Sequence, residues 1–144
     1  MTMKATFSLL FLILAITCTV IAENKQYQKF MAQHYHFGMT VKDCNNDMNY
    51  VNANYNGGEC KRFNTFITGQ RVDAITAVCH NAGRDFPVKG STNSYKSTTK
   101  FSLIICEYIK GSNPCNYQAY PKTQLIVIAC NSGLPVHYHT QLDN

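Results

Sequence analysis

The chain has 144 residues, of which 45% are hydrophobic, 12% aromatic and 15% charged, with seven Cys, no Trp and a formal charge of +5. That length makes one domain, because two halves would each be too small to bury an ordinary core. The apolar content excludes a disordered chain, and a lone long apolar stretch excludes a membrane bundle, as the overall texture excludes coiled coil, collagen and linker.

Met1–Ala22 carries one cation, Lys4, then an apolar run from Phe7 to about Ile16, then small residues, with Val20 and Ala22 suited to the −3 and −1 positions of a signal-peptidase site. Residues 1–22 are therefore expected to be a signal peptide, with a secreted domain at 23–144. A retained anchor is the competing reading, and the run is short for it. Without the leader, 12 Lys+Arg face 8 Asp+Glu and six Cys remain: 44, 60, 79, 106, 115 and 130. An even count in an oxidising compartment implies three disulfides, although six cysteines allow 15 connectivities and spacing does not choose among them. No CxxC or HxxxH pair is present to favour zinc.

Lys25–Tyr35 is compatible with a helix, with Phe30 and His34 four apart on one face. Cys44–Cys60 is rich in Asn and closes on Gly57-Gly58, which predicts loop around at most one short helix. Phe63–Thr68 reads as a strand and Val72–Val78 as a short helix. From Tyr95 onward the texture is β, in SYKSTTKFSLIICEYI, TQLIVIAC and LPVHYH, separated by Gly, Asn and Pro turns. Helices first and strands later predict an α+β domain, and the lack of helix-length crossovers between the later strands predicts an antiparallel sheet.

Basic charge on a secreted chain suggests a polyanionic partner: nucleic acid, a heparan-like glycan or an anionic membrane. Scattered cations are equally the pattern of a solvated face. Two histidines far apart in sequence, His34 and His137, can act as general base and general acid near neutral pH if the fold unites them.

Three motifs sharpen this. Cys60–Phe66 is CKRFNTF, Lys29–His36 is KFMAQHYH, and Gly133–His139 is GLPVHYH. In their order and their cysteine frame they resemble the pancreatic ribonuclease superfamily, nearest its angiogenin-like and fish-type branch with three disulfides. The resemblance spans essentially the whole chain after the leader. It implies the pairs Cys44–Cys106, Cys60–Cys115 and Cys79–Cys130, and a curved, V-shaped antiparallel sheet with about three helices and the active site in its cleft. It also implies a metal-independent endoribonuclease without cofactor, cutting single-stranded RNA 3′ of pyrimidines through a 2′,3′-cyclic phosphate. His34 is then the base, His137 the acid and Lys61 the cation for the phosphorane, while Gln33 orients a phosphate oxygen and Lys29 contacts an outer phosphate. Thr65 and Tyr138 hold the pyrimidine, Asn64 caps the site from behind, and Asn93 helps hold the downstream base.

Several positions depart from the family pattern. His139 stands where a carboxylate normally receives a hydrogen bond from the acid histidine, and Asp143 is a candidate substitute. Ser94 is the counterpart of one cysteine of the missing fourth bridge. Ile105 replaces a polar residue that tunes uridine against cytidine, and Asn131 replaces a Glu associated with the downstream base. Asn45–Glu59 holds no Lys or Arg, so an arginine-run nuclear-import signal is absent there. The short tail HYHTQLDN predicts no obstruction of the pyrimidine site. Beyond RNA, the resemblance admits an anionic bacterial membrane or glycan as target and a cytosolic ribonuclease inhibitor as partner of a monomer. The alternative roles are a cationic antimicrobial host-defence protein and an angiogenin-like extracellular signal.

Overall fold

The computed structural model describes residues 2–144, with side chains described outside 2–8 and 17–24. Helix α1 (Thr2–His34) runs without a break from the leader to the histidine of the first motif. Its leader half presents Leu9 to Leu14 and Ile16 to solvent, each more than half exposed. No helix among the described residues is long and apolar enough to cross a membrane.

After a 3₁₀ turn at Val41–Asp43 comes α2 (Cys44–Tyr55), three turns long. This corrects the expectation of a loop with at most one short helix. Asn is a poor helix former because its side chain competes for the backbone, and that bias dominated the sequence reading. Cys44, Met48, Val51 and Asn52 nevertheless form one buried stripe, and tertiary burial of a stripe outweighs propensity in a helix this short. His36, just past α1, pairs with Asp47 on α2, tying the two helices together.

The strands are β1 (Phe63–Ile67), β2 (Gly83–Asp85), β3 (Ser94–Ser97), β4 (Phe101–Tyr108), β5 (Tyr117–Asn131) and β6 (Leu134–Leu142), with α3 (Val72–Ala77) between β1 and β2. All pairings are antiparallel, in the order β1-β4-β5-β3-β2 with β6 also on β5. The long β5 belongs to both arms of the V. Its first half, Tyr117–Gln124, pairs with β4, and its second half carries β6 on one side and β3 on the other. Strand β5 starts earlier than the predicted TQLIVIAC because YQAYPK is polar and contains Pro121, which is tolerated where a strand has a free edge. The three-residue β2 is too short to leave a periodic signal.

Adjacent strand residues feed different cores, because successive side chains point to opposite faces. Ile67 and Leu103 join Phe30, Ile75, Val78, Ile126 and Ile128 beneath α1 and α3. Their neighbours Phe66 and Ile104 join Met48, Val51 and Tyr117 beneath α2. Three disulfides, Cys44–Cys106, Cys60–Cys115 and Cys79–Cys130, close segments of 62, 55 and 51 residues. Each such closure contributes about 2–4 kcal/mol in a small domain. The β5–β6 hairpin turns on Ser132 and Gly133, both with positive φ, the conformation a two-residue hairpin requires.

Candidate active site

The cleft between the arms contains a cavity of about 450 Å³ lined by Lys29, Gln33, His34, Lys61, His137 and Tyr138, among others. Six residues that the sequence singled out thus meet in one place, contributed by α1, the segment before β1, and β6.

His34 closes the last turn of α1 and is 9% exposed. Its Nδ1–H donates to the Thr65 carbonyl at 2.9 Å, which leaves Nε2 as the lone-pair nitrogen. Phe30 lies 5.5 Å away and the Tyr138 ring stacks on the imidazole at 5.0 Å. Burial pushes the His34 pKa down to about 3; the bond to Thr65 opposes this, while Lys61 and His137 add to it. The group is a neutral imidazole across the physiological range.

Lys61 is anchored from three directions. Its Nζ donates to Asn64 Oδ1 at 2.8 Å, its backbone N–H donates to Asn52 Oδ1, and its carbonyl accepts from the Tyr117 hydroxyl at 2.7 Å. Asn64 in turn donates to the Gln33 carbonyl at 2.7 Å, so the ammonium and the end of α1 share one bridge. Burial, then Lys29, lowers the Lys61 pKa. Asn52 and Tyr117, themselves linked at 3.0 Å, are supports that the sequence reading missed. Asn52 sat in a segment read as loop, and neither residue lies in a motif.

Strand β6 carries two extra residues relative to β5. The partners run Cys130↔Pro135, Ala129↔His137, Ile128↔Tyr138 and Val127↔Thr140, which leaves Val136 and His139 unpaired. Bulges of this kind twist a strand and re-aim its side chains. Between them, the exposed His137 points into the cavity and Tyr138 packs on His34. Burial lowers the His137 pKa, with Lys61 and Lys29 adding to it. The His139 ring meets that of His137 edge-on at 4.6 Å. Asp143 does not reach this pair: it accepts from Gln124 Nε2 at 2.9 Å.

Thr65 and Tyr138, the pair expected to hold a pyrimidine, are engaged from within the chain. Gln141 Oε1 accepts from the Thr65 hydroxyl at 3.0 Å and from the Tyr138 hydroxyl at 2.9 Å. This overturns the expectation of an unobstructed site. The tail is short, but β6 extends to Leu142, and pairing with β5 carries Gln141 back across the cleft. Ile105 lies directly opposite Thr65 on β4 and next to Tyr120 on β5, so an alkyl side chain stands beside Thr65 in that sheet row. Asn93 lies outside the cavity; its carbonyl accepts from the Cys130 N–H at 2.8 Å. Among the described residues no three His, Cys, Asp or Glu side chains are grouped to hold a metal.

A buried neutral imidazole, an exposed imidazole and a lysine around one cavity are groups suited to moving protons beside an anion. The family described as pancreatic ribonuclease matches residues 25–139, and the chain belongs to it. An angiogenin of Saimiri sciureus is 38% identical over 130 residues, covering 86% of this chain and 84% of its own. A ribonuclease of Chelonia mydas is 37% identical over 120 residues, covering 78% and 95%. Among solved structures, zebrafish RNase5 is similar at TM-score 0.69 and 35% identity, covering 82% of this chain and 95% of that one.

Proposed function

We propose that the chain is a secreted, metal-independent endoribonuclease that cleaves single-stranded RNA 3′ of pyrimidines. The observation that carries this reading is the His34 tautomer: Nδ1–H is committed to Thr65, and the free Nε2 belongs to a ring lining the same cavity as Lys61 and His137. In the first step His34 Nε2 takes the proton of the ribose 2′-OH as that oxygen attacks the adjacent phosphorus. The P–O5′ bond breaks, and protonated His137 gives its proton to the leaving 5′-oxygen. Lys61 faces the phosphorane, where charge peaks in the transition state, and Gln33 holds a phosphate oxygen. The product is a 2′,3′-cyclic phosphate, and Lys29 contributes outer phosphate affinity that falls with salt. Thr65 and Tyr138 receive the pyrimidine once Gln141 withdraws.

Residues 1–22 are read as a secretory leader removed before Glu23, in line with an apolar surface exposed to water over Leu9–Leu14. The test is a paired assay on RNA and DNA of one pyrimidine-containing sequence, with the product followed by phosphorus NMR. A cyclic phosphate from RNA, with DNA bound but uncut, is the expected result. Cleavage of both polymers contradicts the 2′-hydroxyl mechanism.

A further inference from the structure

We propose that Ser94 is a positioning residue for the acid histidine, acting through His139; the effect on cleavage rests on the ribonuclease reading above. Ser94 Oγ–H donates to Ser91 Oγ at 2.7 Å, and the same oxygen lies 2.9 Å from His139 Nε2. In the proposed arrangement Ser94 gives its one proton to Ser91 and accepts from His139. His139 is thereby held as the Nε2–H tautomer, and Nδ1 is left as its lone-pair nitrogen beside His137.

The fold makes this contact in two ways. Ser94, Ala129 and His137 lie side by side across β3, β5 and β6, so Ser94 shares a sheet row with the acid. His139 is the extra residue of a bulge, free to lean toward that row rather than pair with β5. The two rings meet in a T-shaped contact at 4.6 Å, and in the proposed arrangement the lone-pair nitrogen of His139 serves His137. A neutral imidazole of fixed tautomer replaces the family's carboxylate as acceptor, and the serine at the lost cysteine position fixes it. The groups that face the pair are few. His137 and His139 face each other along β6, Ser94 and Ser91 stand behind His139, and Lys61 and Lys29 act on His137 from the β1 side and from α1.

The test is a long-range nitrogen–proton NMR spectrum of the histidine rings at pH 8, followed by a titration from pH 8 to pH 4, without substrate, on the three-disulfide chain and its Ser94→Ala variant. The expected result is a single Nε2–H tautomer for His139 in the parent chain and a mixture in the variant. The His137 titration midpoint in the variant falls by about 0.5 unit, through loss of a fixed acceptor. Ser94→Thr, which keeps the hydroxyl, restores the single tautomer. In cleavage, Ser94→Ala lowers kcat about 3- to 10-fold, the rate equivalent of one neutral hydrogen bond, with KM little changed. A mixture in the parent chain, or an unchanged tautomer and His137 midpoint in Ser94→Ala, overturns the assignment. Because the spectra need no substrate, an inactive parent chain counts against the ribonuclease reading alone.

Discussion

His34 and His137 are the same side chain in two environments, and the difference fits the roles proposed for them. His34 is buried beneath Tyr138 with its pKa near 3, while His137 is exposed with a smaller downward shift. The base must be neutral and the acid charged, so the free protein should show a bell in kcat/KM lying on the acid side of 6.5. Its acid limb follows His34 and its alkaline limb His137. A pH–rate profile checks this, and a bell centred above 7 contradicts the geometry. The same burial has a stability consequence. An unfolded His34 binds a proton near 6.5 and the folded one near 3, so its contribution is complete above 6.5 and is lost progressively as pH falls toward 3. Urea midpoints at pH 7 and pH 4 should fall further for the parent chain than for His34→Asn. Gln141 makes a third prediction at this scale. Its amide oxygen ties up the Thr65 hydroxyl, which the proposed reading gives to the base, and the hydroxyl of Tyr138, whose ring would pack it, so Gln141→Ala should raise kcat/KM on a pyrimidine dinucleotide about 5- to 20-fold, the worth of one to two hydrogen bonds. An unchanged value would mean that the glutamine leaves without cost.

Helix α2 is the element through which packing reaches the chemistry. Met48 and Val51 bury its stripe, and Asn52 on the same stripe holds the Lys61 backbone while donating to Tyr117. Asn52→Ala leaves a buried hydroxyl and an N–H short of partners, at a cost of about 1–3 kcal/mol. It should lower kcat more than it raises KM, since in the proposed mechanism the Lys61 ammonium faces charge formed in the transition state. Steady-state kinetics beside a denaturation curve separates the two effects. This element was also the one least legible in the sequence. Its Asn content reads as loop, and only the fold shows that Cys44, Met48, Val51 and Asn52 share a face. The motif residues behaved differently. Lys29, Gln33, His34, Lys61, His137 and Tyr138 were legible because each sits in a fixed-spacing motif, and the fold brings all six to one cavity. Gln141, and the contact between Ser94 and His139, were illegible for a physical reason: they depend on the bulges in β6 and on strand pairing, and neither leaves a mark on local sequence.

Across the whole molecule, β5 is the shared spine. One half supports the arm that carries Thr65 and the other the arm that carries His137, so the two sides of the cleft are rigidly related. The disulfides reinforce this: Cys60–Cys115 fixes the residue beside Lys61, and Cys79–Cys130 joins the end of α3 to β5. The α+β class, the antiparallel sheet and the later strands were legible from the texture after Tyr95, and the closing of the sheet into a V became expected only through the family motifs. The central claim is that His34 and His137 act as an acid–base pair without a metal. It is tested most directly by cleavage of a short UpA-containing RNA by residues 23–144 across pH, with EDTA present, beside His34→Ala and His137→Ala. The account predicts an EDTA-resistant bell that disappears in both variants. Cleavage that survives either substitution, or that EDTA abolishes, would contradict it.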